Sequence, residues 1–278
     1  MMTLTDTYSE DKRQPGKIKL HGEDAFAAMR KAGRLTAEAL DLMVELVKPG
    51  ITTEQIDRVA FEFAMDHGSF PATLQYRGYN RSCCTSINDV ICHGIPTDKR
   101  VLKDGDIINI DITLIVNGWH GDASRTYMVG SVKPFASRLV NVTYECLMLG
   151  IQAVKAGVHL GDIGAAIQAR AETERFSVVR DFCGHGVGRL FHDEPNVVHY
   201  GRKGDGPLLR PGMIFTIEPM INLGRPHVKI LSDGWTAKTK DGSLSAQFEH
   251  TIGVTENGCE IFTLSPKGWD NPAVILNG

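Results

Sequence analysis

No stretch of this 278-residue chain is apolar for the roughly 20 residues that crossing a bilayer requires. The opening "MMTLTDTYSEDKRQPGKIKL" has no apolar centre, so no export leader is expected. Cysteine is sparse. Cys83, Cys84, Cys92, Cys146, Cys183 and Cys259 make neither a zinc-finger spacing nor a small disulfide scaffold. Reduced thiols in a cytoplasmic protein are the expectation. An excess of one charge is missing too. Lys and Arg total 30 against 33 Asp and Glu, a net charge of −3, which supplies no field for DNA or an anionic membrane. Neither partner is expected. Apolar residues, at 42%, are plentiful enough for a sizeable core, and 23% charge does not suggest disorder.

Residues 1–21 read as a flexible polar arm, and 22–278 as a single domain. From Gly22, Ala25, Met29, Ala32, Leu35, Ala39, Leu42 and Leu46 recur at three- and four-residue steps, predicting a helix that Lys48-Pro49-Gly50 stops. "TTEQIDRVAFEFAMDHG" predicts a second, capped by Thr52 or Thr53 and left at Gly68. "LKDGDIINIDITLIVNGWHGDASRTYMVG" predicts a hairpin with a type I′ turn at Asn117-Gly118. Two more helices, over about 137–154 and 160–174, lead to a glycine-rich stretch at 184–188, the strand "FTIEP" and a last β region ending near 264.

Two blocks repeat. "LVKPGITTEQID" from Leu46 matches "AVKAGVHLGDIG" from Ala153, and "LKDGDIINID" from Leu102 matches "LRPGMIFTIE" from Leu209, both at an offset of 107 residues. The shared offset predicts a duplication, with α+β halves near 22–135 and 136–264 about a pseudo-two-fold axis.

The offset sets Asp111 against Glu218, each at the end of an apolar strand. A two-residue turn at Asn117-Gly118 pairs Asp111 with Ser124 and Asp122 with Thr113, so both aspartates share a strand face. The other face holds Ile108, Ile110, Ile112 and Leu114. Buried acids without counter-charge are costly, so this grouping predicts a cation site. Glu249, in "SAQFEHTIGV", lies on the strand face opposite Phe248 and His250. His185, in "CGHGVG", has glycines that allow close backbone approach. Four carboxylates and an imidazole fit two divalent cations sharing carboxylates and a hydroxide, of the Mn²⁺, Fe²⁺, Co²⁺ or Zn²⁺ type. His93 in "CHGIP" and His192 in "FHDEP" are candidate proton carriers or donors, with satisfied structural histidines as the alternative.

The segments "NIDITLIVNGWHGDASRTYMVG", "CGHGVGRLFHDEP", "GMIFTIEPM" and "DGWTAKTKDGSLSAQFEHTIGVT" resemble the type I, bacterial-type methionine aminopeptidases, from about Gly22 to Leu264. The resemblance implies the α+β pita-bread fold, with a curved antiparallel sheet inside and helices outside. It implies a dinuclear site held by Asp111, Asp122, His185, Glu218 and Glu249, and catalytic roles for His93, His192 and Glu218. It implies a methionine pocket of Tyr76, Tyr79, Cys84, Phe191 and Trp235 with His93 on its rim. The implied activity removes N-terminal methionine from nascent proteins and peptides with a small second residue, by attack of a metal-activated hydroxide on the first peptide bond. A monomer is implied, and an additional monovalent cation is a candidate. The basic stretch 11–22 is a candidate ribosome contact, against the plainer reading of a solvated tail.

Three positions depart from the family pattern: Thr73, where a small residue or thiol is usual; Arg77, where histidine is common; and Asn80, where proline is common. They bear on the pocket rim and the extra cation, not on the metal ligands. The rival readings are an Xaa-Pro aminopeptidase or prolidase, and a metal-free binding protein on the same scaffold.

Overall fold

The computed structural model describes residues 14–272. Helix α1 (Glu23–Leu46) turns Met29, Ala32, Ala37, Leu40 and Met43 inward, a stripe at helical spacing. Pro49 cannot continue it. Helix α2 (Thr53–Asp66) starts with a capping box in which Gln55 N donates to Thr52 Oγ1 and Thr52 N to Gln55 Oε1. Helices α3 (Pro134–Gln152) and α4 (Leu160–Thr173) follow the first β region. Both α2 and α4 have 14 residues, and their starts are 107 positions apart. No helix among the described residues is long and apolar enough to cross a membrane.

Strands β4 (Ile107–Val116) and β5 (Trp119–Met128) form the predicted hairpin, pairing Asp111 with Ser124 and Thr113 with Asp122. Asn117 and Gly118 both have positive φ, 50° and 78°, as a type I′ turn demands. On the outer side of β4 lie β1 (Phe70–Pro71) and β2 (Cys84–Ile87), whose Cys84 faces Asp111. Strand β3 (Val90–Cys92) pairs with β12 (Ala237–Thr239), which pairs with β11 (Val228–Ile230).

The second region has β6 (Ser177–Val178), β7 (Gly184–Gly186), β8 (Asp193–Val197), β9 (Ile214–Ile217) and β10 (Met220–Asn222). β13 (Ser245–Gln247), β14 (His250–Val254) and β15 (Cys259–Ile261) complete it. The sheets run β15-β14-β9-β7-β8 and β13-β10-β6. The single strand expected across "SAQFEHTIGV" is split at Phe248 and Glu249, where β13 ends and β14 begins. The break lies across from Glu218-Pro219, between β9 and β10. Proline lacks the N–H a ladder bond needs there.

One apolar core lies between α1, α2 and the hairpin, with Leu40, Ile56, Ile108, Ile110, Ile112 and Leu114. A larger one lies between α3, α4 and the second sheets, with Leu139, Leu147, Ile163, Phe215 and Phe248. Ile18 packs against this second core, and His21 N donates to Gly212 O at 2.7 Å. The arm assigned to 1–21 thus runs along the body at 18–21, while 1–13 lie outside the described residues.

Candidate metal centre and active site

Ser124 links the two sheet systems. It forms an isolated bridge with Glu249, whose N–H donates to Ser124 O at 3.0 Å. The β9–β14 and β10–β13 ladders share one register, which sets Glu218 opposite Glu249 across their common gap. Residues opposed across a ladder point to the same side. Asp111, Ser124, Glu249 and Glu218 therefore form a row on one face, with Asp122 two residues along β5 from Ser124. Gly121 lets α1 press against this strand, since a Cβ there would lie 2.4 Å from the Ala32 backbone. Thr251 Oγ1 donates to Asp122 O at 2.7 Å, a second stitch between the halves.

His185 enters from β7. Its flanking glycines permit close approach, as their sequence context suggests: a Cβ on Gly184 or Gly186 would sit 2.3 Å from Thr216 O or 2.0 Å from Glu194 O. His185 Nε2 lies 3.5 Å from Asp122 Oδ2 and 3.6 Å from Glu218 Oε1. Asp122, His185 and Glu249 are buried and offer ligand atoms within 4.8 Å of one another. Asp122 Oδ1 accepts from Thr113 Oγ1 at 2.6 Å, and Glu218 Oε1 from Thr216 Oγ1 at 2.8 Å.

Burial raises the pKa of all four acids, Asp111 to about 7. For Asp122, Glu218 and Glu249 the negative charge of neighbouring carboxylates adds to the rise. No arginine or lysine pairs with any of them among the described residues. Such a group is stable either by holding protons or by holding cations. Oxygen donors plus one imidazole, with an orienting hydroxyl on Asp122 and another on Glu218, suit divalent metal. The residues present fit the group, and Asp122, His185 and Glu249 form a metal-binding site.

Every predicted site residue lines one cavity of about 350 Å³: the four acids and the His185 imidazole above, His93, His192, Tyr76, Tyr79, Cys84, Phe191 and Trp235. Tyr76 packs edge-on to Phe191 at 5.0 Å and stacks on His192 at 5.1 Å. Tyr79 meets Trp235 at 5.0 Å. His93 has φ 57°, a left-handed conformation unusual for a side-chain-bearing residue, and sits between Phe182 and Trp235. Burial lowers the pKa of His93 and is the largest cause lowering that of His192. His192 Nδ1 is buried without a partner.

Several contributors were not singled out from sequence. Phe182, Asp181, Cys183 and Met220 also line the cavity. Met220 adjoins "FTIEP" and Cys183 opens the "CGHG" run, so proximity to a motif was their signal. His199 Nε2 accepts from Glu218 N at 3.0 Å, and burial pulls its pKa down to about 3. Gln247 Nε2 lies 3.4 Å from Glu218 Oε2. His120 stacks on Phe191 with its Nδ1 2.8 Å from Gly188 O, anchoring the loop that carries Phe191 and His192. Only long-range pairing brings His199 and His120 to these places, so no local pattern points to them, whereas Gln247 shares a strand face with Glu249 by alternation.

The model of metallopeptidase family M24 matches residues 27–256, and the chain belongs to that family. Its architecture is the family's pita-bread fold. The chain is 60% identical over 247 residues to methionine aminopeptidase A of Synechocystis, covering 89% of this chain and 98% of the relative. It is similar to the crystal structure of methionine aminopeptidase from Rickettsia prowazekii, with TM-score 0.88, 54% identity, and coverage of 89% of this chain and 100% of that one. The Xaa-Pro dipeptidase from Bacillus anthracis shares the fold, with TM-score 0.72 at 20% identity, and the alignment spans only 62% of that longer chain.

Proposed function

We infer that this chain is a metal-dependent methionyl aminopeptidase, a hydrolase that removes the N-terminal methionine of peptides and nascent proteins. The observation that carries it is one cavity holding a buried Asp122–His185–Glu249 metal site beside an aromatic pocket. The 60% identity to a methionine aminopeptidase over 89% of this chain supports the same reading. The prolidase reading finds no such support, because likeness at 20% identity extends to the fold alone.

Asp111, Asp122, His185, Glu218 and Glu249 would hold two divalent cations, cobalt, manganese, iron or zinc. Such cations supply Lewis-acid polarisation and make water acidic enough to react at neutral pH. Glu218 would take the proton of the attacking water and pass it to the leaving amine. Thr216 and Gln247 hold its carboxylate in place. His192, lining the cavity with its ring 4.1 Å from that of His185, is suited to hydrogen-bond the scissile carbonyl. His93 stands at the rim, near the substrate amine. Tyr76, Tyr79, Cys84, Phe191 and Trp235 form an aromatic and thiol-lined pocket suited to a thioether. A small second residue in the substrate is part of the same reading.

The candidate monovalent cation has support as well. Asn222 and Ser245 oppose each other in β10 and β13, and Asn222 Oδ1 and Ser245 Oγ are buried without partners. The reading takes 22–278 as one catalytic domain in a monomer. Part of the ribosome contact assigned to residues 11–22 falls on 11–13, outside the described residues.

The test is methionine release from Met-Ala-Ser by manganese- or cobalt-loaded protein. Release from Met-Ala-Ser, absent with a Met-Leu peptide and lost in Glu218→Ala, is the expected result. Cleavage restricted to bonds before proline would replace this reading with the prolidase one. No cleavage with any of these metals would favour a binding protein.

A further inference from the structure

The buried acids of the cavity lie at its floor, and its rim carries one residue of each charge. Of the residues lining it, Arg77 and Asp181 are exposed, while the carboxylates of Asp122, Glu218 and Glu249 are buried. Arg77 is the one arginine or lysine in that lining. It forms no ion pair with any described residue, unlike Arg81 four positions later, which reaches Glu54 at 3.2 Å.

The local backbone holds Arg77 at the rim. Gln75, Arg77 and Gly78 have positive φ of 73°, 49° and 86°. Gln75 N donates to Tyr79 O at 2.7 Å and Tyr79 N to Tyr76 O at 2.9 Å, closing a tight loop around the arginine. A left-handed arginine has a cost that an ordinary solvated side chain need not incur. The guanidinium lies 5.3 Å from the centre of the Tyr76 ring, in cation–π contact. That same ring stacks on His192. The cation is thus tied to the wall of the reaction cavity.

A peptide entering amine-first carries its positive end toward the acidic floor. The residues after the second one must leave through the rim, at about 3.3 Å per extended residue. We propose that Arg77 is a specificity-determining residue: it favours substrates with a carboxylate at the third or fourth position, and disfavours those with lysine or arginine there. This rests on the aminopeptidase reading above.

The experiment compares kcat/KM for C-terminally amidated Met-Ala-Asp-Ala, Met-Ala-Lys-Ala, Met-Ala-Ala-Asp and Met-Ala-Ala-Lys, with uncharged Met-Ala-Ala-Ala as reference. An exposed ion pair supports an acidic-over-basic ratio of about two- to fivefold in the native protein. The ratio should approach one in Arg77→Ala, invert in Arg77→Glu, and shrink between about 0.01 M and about 1 M salt as screening sets in. Because each ratio is taken within one variant, any common change in rate cancels. Asp181→Asn is the control: if it changes the ratio while Arg77→Glu leaves it intact, the acidic rim residue governs selection and the proposal is wrong. A native ratio of one, or one indifferent to the charge at 77, also overturns it. Failure to cleave even the uncharged peptide would instead refute the aminopeptidase reading.

Discussion

In the first half, Gly50 N donates to Leu102 O at 2.9 Å and Leu102 N to Ile51 O at 2.8 Å. In the second, Gly157 N donates to Leu209 O and Leu209 N to Val158 O at those same distances, every partner displaced by 107 residues. The strands that follow diverge. β4 runs on past Asp111 into a hairpin and gains Asp122 from the returning strand. β9 stops before Glu218, where Pro219 interrupts the ladder, and its neighbours in the site come from elsewhere, Glu249 from the gap between β13 and β14 and His185 from β7. These turn hydrogen bonds and the starts of α2 and α4 correspond in the two halves. The acids tolerate different strand contexts so long as they reach the shared face. The two regions thus share turns and one helix start at a common offset, while the site draws unlike parts from each.

The sharpest way to test that shared site is to neutralise one acid from each half. Asp111→Asn and Glu218→Gln remove a carboxylate at equivalent positions, so both should release metal, read as bound metal per chain by mass spectrometry. At saturating metal Glu218→Gln should lose the larger activity, on the order of 10²–10⁴-fold, because it also removes the proposed proton carrier. Equal losses at equal occupancy would show that the two acids are equivalent in function as well as position.

Their ion pairs also separate the halves. Arg125 is buried, with Asp41 at 2.6 Å and Asp270 at 3.2 Å, and Ser265 Oγ donates to Asp41 as well. This network ties β5 to α1 and to the segment after β15. In the second half Arg170 pairs with Glu145 and Glu174 near the surface. Arg125→Leu should cost about 3–5 kcal/mol in urea denaturation, because two buried carboxylates lose their counter-charge. Arg170→Ala should hardly shift the same transition, since water screens that pair. A small loss at Arg125 would mean that Asp41 and Asp270 find water or protons at little cost.

The sequence disclosed most where one local feature fixes a register. Asn117-Gly118 sets the pairing of β4 and β5, and from it the common face of Asp111 and Asp122 follows. Glu218 was legible through the repeat offset, and α2 and α4 through their periodicity and starts. Glu249 was placed in a continuous strand, and the break opposite Pro219 went unseen because it depends on which strand lies alongside. The contacts that support the site from behind could not be read at all. His199 meets the backbone of Glu218 across 19 positions and Gln247 its carboxylate across 29, contacts with no local periodicity behind them.

The smallest difference concerns two glycines at equivalent turns. Gly105 and Gly212 have φ of 90° and 91°, so alanine at either should cost about 1–2 kcal/mol in backbone strain. Their surroundings differ. A Cβ on Gly105 would rest at 3.5 Å from Ser131 O, an ordinary contact. One on Gly212 would lie 2.7 Å from His21 O and 3.0 Å from His21 N. The arm crosses the second turn, and among the described residues nothing comparable crosses the first. Gly212→Ala should therefore cost about 1–3 kcal/mol more than Gly105→Ala, through overpacking. It should also loosen the hydrogen bond from His21 N to Gly212 O and the Lys19–Asp193 ion pair, 3.4 Å apart. Limited trypsin digestion would then cut after Lys17 or Lys19 faster in Gly212→Ala than in Gly105→Ala. Equal stability losses with equal cleavage would mean that the arm yields without resistance. The second turn would then depend on the arm no more than the first, and the halves would be alike at this point too.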